Sequence, residues 1–155
     1  MANVKVRGLA LPAELTALLR QGRWRHPGDA KMAELAPWFE DPLDFLTSAE
    51  QMTSESRSMD MFADDPLSSK LFREVRGSSS GQAGRPVELP WLDIDQAVLI
   101  AVNRVPGGDV ALALDYRTDP LDPRVVGSDF WTDPRRCAWR PLAPTFTAFA
   151  EALGL

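Results

Sequence analysis

Cysteine is nearly absent from this 155-residue chain, which carries Cys137 alone. A single thiol closes no intramolecular disulfide, so the fold must hold by packing. Such usage points to a reducing compartment, and a cytoplasmic protein is expected. Histidine is equally scarce, with only His26. One Cys and one His are too few soft ligands for zinc, and no metal or cofactor is expected. A Ser-His-Asp relay would have to use His26. That residue lies in the loop Gln21–Gly28 (QGRWRHPG), where a solvated or hydrogen-bonded histidine is the ordinary reading. No apolar run approaches the ~20 residues of a membrane span. Pro12 and Glu14 interrupt the apolar stretch behind Lys5 and Arg7, which argues against a signal peptide. Positive charge is in deficit, with 17 Lys and Arg against 22 Asp and Glu, a net charge of −5. Nucleic-acid binding normally needs a basic patch, so that class of partner is disfavoured. No internal repeat is visible.

What is present is an ordinary globular balance, 45% apolar and 25% charged, in a chain long enough for one well-buried core. The last third organises it. Ala97–Val102 (AVLIAV) is an unbroken, β-branched-rich run, the length of a strand buried on both faces. RVPGGD at Arg104–Asp109 can reverse the chain. From Val110 to Tyr116 the sequence alternates, with Val110, Leu112, Leu114 and Tyr116 on one face and Ala111, Ala113 and Asp115 on the other. DPLDP (Asp119–Pro123) is a second turn. Arg124–Ser128 and Cys137–Leu142 are further strand candidates. Pro144 suits the first turn of a terminal helix striped by Phe146, Phe149 and Leu153 and stopped by Gly154. Leu99, Ile100, Leu112, Leu114, Phe146, Phe149 and Leu153 are expected to share one core.

Upstream, Ala2–Gly8 reads as an extended lead-in and Leu11–Gln21 as a helix, with Pro12 near its start, Gly22 as its stop and Leu11, Leu15, Leu18 and Leu19 as its stripe. Asp29 can cap a short helix through Ala36. Leu43–Glu50 suggests another helical turn. Met59–Gly77 carries the strongest helical pattern of this half, with Asp65 as cap and Leu67, Leu71 and Val75 in line. Gly77–Pro86 (GSSSGQAGRP) has the composition of a flexible connector rather than a domain boundary.

Candidate chemistry is thin. Gly77–Gly81 (GSSSG) matches the G-x-S-x-G nucleophile pattern, but a helix precedes it and a linker follows, the reverse of the required context. Cys137 reads as buried filler beside Trp139. Asp93, Asp95, Asp115, Asp119, Asp122, Asp129 and Asp133 gather at strand ends and turns. Such carboxylates can serve acid/base chemistry or hold Mg²⁺ or Ca²⁺. Asp is also the common turn and cap residue, and no calcium-loop spacing occurs. Five tryptophans, Trp24, Trp38, Trp91, Trp131 and Trp139, are many for this length. Most suit the core, and one or two exposed ones would suit a protein interface.

GDVALALDYRTDP (Gly108–Pro120), RVVGSDFW (Arg124–Trp131) and WRPLAPTFTAFAEAL (Trp139–Leu153) together resemble the SUKH superfamily, which holds Smi/Knr-type cell-wall-assembly regulators and many bacterial immunity proteins. Leu11-Pro12 and the leucine-rich helix after it resemble the family's start. The resemblance covers the last 65 or so residues well. It departs in the middle, where a helical insert (about 29–77) and the linker (about 77–86) replace a short Gly-rich segment. It implies a single α+β domain over 1–155, a mainly antiparallel sheet with helices packed on it, that binds proteins and carries no catalytic residues. The leading expectation is therefore a non-enzymatic immunity protein neutralising a toxin, with the acidic balance suiting a basic one. A small hydrolase or metal-dependent enzyme using the aspartates is one alternative, and a regulatory scaffold is another. The expected partner surface comprises Trp91, Asp93, Asp95, Asp119, Asp122 and Trp131, because acids and tryptophans concentrate in loops bracketing a rigid sheet.

Overall fold

The structure, a computed structural model, describes residues 4–39, 42–62, 89, 92–105, 110–129 and 138–155, with residues 60–62 described by backbone alone. The pattern at 65–77, the Ser/Gly connector, Trp91, Trp131, Asp133 and Cys137 lie outside them. The described residues form an α+β fold of four α-helices, a five-stranded antiparallel sheet and a two-stranded one.

From Lys5 the described residues are extended only as far as Val6 and then turn back. Strands β1 (Lys5–Val6) and β2 (Leu9–Ala10) form a hairpin around Arg7 and Gly8. Both turn residues have positive φ, 54° and 81°, as a two-residue type I′ turn requires. The strained Arg7 backbone is held by tertiary contacts. Its Nη1 donates to the carbonyls of Ile94 (2.9 Å) and Ala97 (3.1 Å). Helix α1 (Ala13–Arg20) follows, with Pro12 at its N-cap, Gly22 at φ 66° past its end, and Leu11, Leu15 and Leu18 buried. Helix α2 spans Asp29–Leu35. Its N-cap is Gly28, at φ 105°, so Asp29 is its first residue rather than its cap.

Leu43–Phe45 is not a helical turn but a strand, β3, with Leu43 and Phe45 buried and Asp44 exposed between them. Period-two alternation over three residues is too short a signal to read alone, and pairing with the next strand settles it. Helix α3 (Ala49–Phe62) then begins well before Met59. Ser48 and Gln51 start it: Ser48 Oγ accepts from the Gln51 N–H (3.1 Å), and Gln51 Oε1 reaches one residue further back to accept from the Thr47 N–H (2.9 Å). This Ser-x-x-Gln box is a sequence-level helix start. Met52, Ser56 and Met59 are its buried stripe.

The main sheet runs β3-β4-β5-β6-β7, with β4 at Ala97–Asn103, β5 at Ala111–Asp115, β6 at Arg124–Asp129 and β7 at Ala138–Ala143. A bulge between Leu99 and Ala101 interrupts the β4–β5 ladder. There the Leu99 N–H donates to the fully buried Ser56 hydroxyl of α3 (3.0 Å), which fixes that helix to the sheet. Every residue of β5 is buried, the alanines included, so both faces are covered. The edge strand β7 carries Arg140, Pro141 and its own register shift, devices that discourage edge-to-edge pairing. Helix α4 (Phe146–Leu153) packs on α1, β6 and β7. Its N-cap is Thr145, whose hydroxyl accepts from Ala148 N–H, so Pro144 lies before the helix; Gly154 ends it at φ 80°.

The seven residues expected to share a core do so. Trp24 stands at its centre, 4.5 Å from Phe45 and 5.5 Å from Phe146, ring centroid to ring centroid. Trp139 is buried and Trp38 half-buried, its indole N–H donating to the Ser128 carbonyl (3.2 Å). Beside it Phe39 lies over Gly127, where an added Cβ would stand 2.9 Å from the ring. No helix among the described residues is long and apolar enough to cross a membrane.

Candidate partner-binding surface

Antiparallel connectivity brings the start of β4, the end of β5 and the start of β6 to one end of the sheet. Four of the six expected surface residues stand there: Asp93 and Asp95 before β4, and Asp119 and Asp122 between β5 and β6. Trp91 and Trp131 lie outside the described residues. The strand that precedes Trp131 ends, at Asp129, at the other end of the sheet.

Asp93 is buried, 5% exposed, and caps the 3₁₀ turn Ile94–Gln96 by accepting the Asp95 N–H (3.1 Å). Burial pushes its carboxyl above the usual aspartate range, against the pull of that hydrogen bond. Asp95 is exposed. Asp119 is exposed too and folds DPLDP into an Asx turn, its Oδ1 accepting from Leu121 N–H (2.9 Å) and Asp122 N–H (3.4 Å). Asp122 accepts the Thr147 N–H (3.0 Å), tying the turn to the first residues of α4. The tip residue Leu121 is 78% exposed. Sequence reading passed over Leu121, because a leucine inside a turn motif carries no signal of its own exposure.

Behind this rim sits a charge clamp. Asp115 is fully buried and lies directly opposite Arg124 across β5 and β6. Its Oδ1 accepts from Arg117 Nε (2.8 Å) and its Oδ2 from Arg117 Nη2 (2.9 Å) and Arg124 Nε (2.8 Å). Burial pushes the Asp115 carboxyl upward, but the two guanidiniums outweigh it and hold the group below its ordinary range. Tyr116 next to it is buried, its hydroxyl donating to the Ala10 carbonyl (2.8 Å), and burial pushes it far above the usual phenol range. Asp129, at the other end of β6, pairs with Arg140.

The remaining candidates have plain surroundings. His26 is half-buried, its Nδ1 accepting the Gly28 N–H (3.0 Å) and its ring edge-on to Phe45. Among the described residues no three His, Cys, Asp or Glu side chains stand close enough to hold a metal ion. What this end of the sheet can do chemically is present two exposed carboxylates and an apolar tip on a rigid frame. No family model matches this chain, and no curated protein or solved structure matches it either.

Proposed function

We propose that this chain is a non-enzymatic, cytoplasmic protein-binding domain of the SUKH kind, an immunity protein that neutralises a basic toxin. The observation that carries the reading is the rim at one end of the sheet. Asp95 and Asp119 are exposed there, and the DPLDP turn between β5 and β6 is fixed by hydrogen bonds from its own amides and from α4. Acids on such a rim steer a basic partner and speed its association. A pre-ordered loop loses little entropy on binding, so its contacts convert more fully into affinity. The resemblance of the last third to SUKH sequences supports the same reading.

The test is binding to the product of the gene beside this one, measured as association and dissociation rates. The Asp95→Asn, Asp119→Asn double variant keeps the turn's hydrogen-bond acceptors and removes the charges. It is expected to lower the on-rate several-fold and flatten its salt dependence. An unchanged on-rate against a toxin that binds would move the surface elsewhere. A neighbour that is no toxin and does not bind would remove the immunity reading and leave the regulatory scaffold.

A metal-dependent hydrolase is the second reading, and the observation in its favour is Asp93, a buried carboxylate beside Asp95 that burial pushes above its ordinary range. Its test is the melting temperature in millimolar Mg²⁺ or Ca²⁺. An ion at 100 times its dissociation constant adds about 2.7 kcal/mol, which is easily seen. The protein-binding reading expects almost no shift; a clear one, abolished by Asp93→Asn, would favour the hydrolase.

A further inference from the structure

All but two of the lysines and arginines among the described residues make a hydrogen bond, an ion pair or another electrostatic or ring contact. The exceptions, Lys5 on β1 and Arg57 on α3, line one depression of about 750 Å³ between the hairpin and that helix. The chain has more acids than bases, 22 against 17, so carboxylates to compensate them are not scarce. Two exposed cations left unpaired at one place are a concentration of unused donors.

Short side chains of α3, Thr53, Ser54 and Ser58, line the depression together with the two long cations. Thr53 Oγ1 donates to the Ala49 carbonyl (2.8 Å) and Ser58 Oγ to the Glu55 carbonyl (2.6 Å), so these hydroxyls are engaged by their own helix. Ser54 makes no such bond among the described residues and supplies a third donor. Glu50 lines the same wall but pairs with neither cation.

We propose that this depression binds a phosphate-type oxyanion between Lys5 and Arg57. A guanidinium fork, an ammonium and a hydroxyl together match a tetrahedral group with several acceptor oxygens, whereas a carboxylate would satisfy the fork alone. Glu50 repels such a ligand and keeps the affinity modest.

The probe is inorganic phosphate, titrated into the full chain at constant ionic strength and followed by amide NMR shifts, with chloride as the control. A saturable response centred on Lys5, Ser54 and Arg57 is expected. Arg57→Ala should weaken it about tenfold or more, since a charge-assisted bidentate contact is lost. Glu50→Gln should tighten it about threefold by removing a like charge, a sign that a purely structural role for this wall would not produce. A phosphoserine peptide flanked by glycines, run in parallel, identifies the source: tighter binding than inorganic phosphate means a phosphorylated side chain, equal binding a free phosphate. Both cations are exposed, so the variants are expected to keep the wild-type melting temperature. A response that does not saturate, that chloride reproduces, or that Arg57→Ala leaves unchanged overturns the proposal.

Discussion

The turn before β4 and the end of β5 each bury an aspartate, and the two carboxylates are pushed in opposite directions. Asp115 lies between two arginines that replace the water it lost, and it is held below the ordinary range. Asp93 loses its water to burial and gains mainly one backbone N–H, so it is pushed above that range. Burial is common to both, and the partners decide the outcome. One carboxylate therefore works for the fold at neutral pH, and the other works against it.

The largest effect that sharpens this contrast is expected at Asp115. Asp115→Ala leaves Arg117 and Arg124 partly buried without their counter-charge, and breaking such a pair from one side costs roughly 3–5 kcal/mol. Arg117→Ala should cost less, because Arg124 still holds the carboxylate. Chemical denaturation of both variants gives the comparison, and equal losses would show that the clamp does not act through Asp115. Phe149→Ala is the apolar control. Its ring is 1% exposed and touches Trp24 and Phe146, so a loss of ~3–5 kcal/mol is expected, unchanged with pH. A loss under about 1 kcal/mol would make α4 peripheral.

Gly127→Ala tests packing further along β6, against Phe39. The added methyl would stand 2.9 Å from the Phe39 ring, and overpacking of this kind costs about 1–3 kcal/mol. The smallest effect is the most diagnostic. Asp93→Asn keeps an oxygen for the Asp95 N–H and removes the desolvated charge, so it should stabilise the protein at neutral pH by less than about 1 kcal/mol. The pH dependences then mirror each other. The Asp115 contribution is complete above the unfolded-state value of ~3.9 and disappears as pH falls through its lowered folded value. The Asp93 penalty is complete above its raised folded value and disappears as pH falls toward ~3.9. On acidification the gain from Asp93→Asn should therefore vanish before the loss from Asp115→Asn does. Melting curves across pH 2–8, an interval of order the carboxylate range on either side, read both, and the reverse order would break the contrast.

Much of the sheet was legible in the chain. AVLIAV and the alternation through Tyr116 gave β4 and β5 within a residue or two, and Arg124–Ser128 gave β6 short by Asp129. The stripe of Phe146, Phe149 and Leu153 with Gly154 behind it gave α4. Two starts were written in the sequence and passed over: Arg7-Gly8, a turn pair between short apolar segments, and the Ser48-x-x-Gln51 box of α3. Within the surface, the aspartates were identified as turn and cap residues or as acids for a partner. Asp119 and Asp122 shape the turn and Asp93 caps, while Asp95 and Asp119 are exposed.

The sequence by itself determined the elements whose signals are local: strand alternation, helix stripes, and the glycines and caps that end them. Each depends on residues within a few positions of one another, which is the range over which side-chain periodicity and backbone sterics act. The tertiary structure alone decided which groups meet across long stretches of chain. Leu43–Phe45 is a strand because β4 offers it an edge. Gly127 meets Phe39 because the loop after α2 lies against β6, where Trp38 donates to Ser128 across 90 positions of chain. Asp115 is held below the ordinary range in the core because register places Arg124 directly opposite it, while Asp93, bonded mainly to one backbone N–H, is pushed above that range by burial. The charge state of a buried carboxylate depends on the dielectric and the donors around it, and chain order does not encode either until the sheet closes.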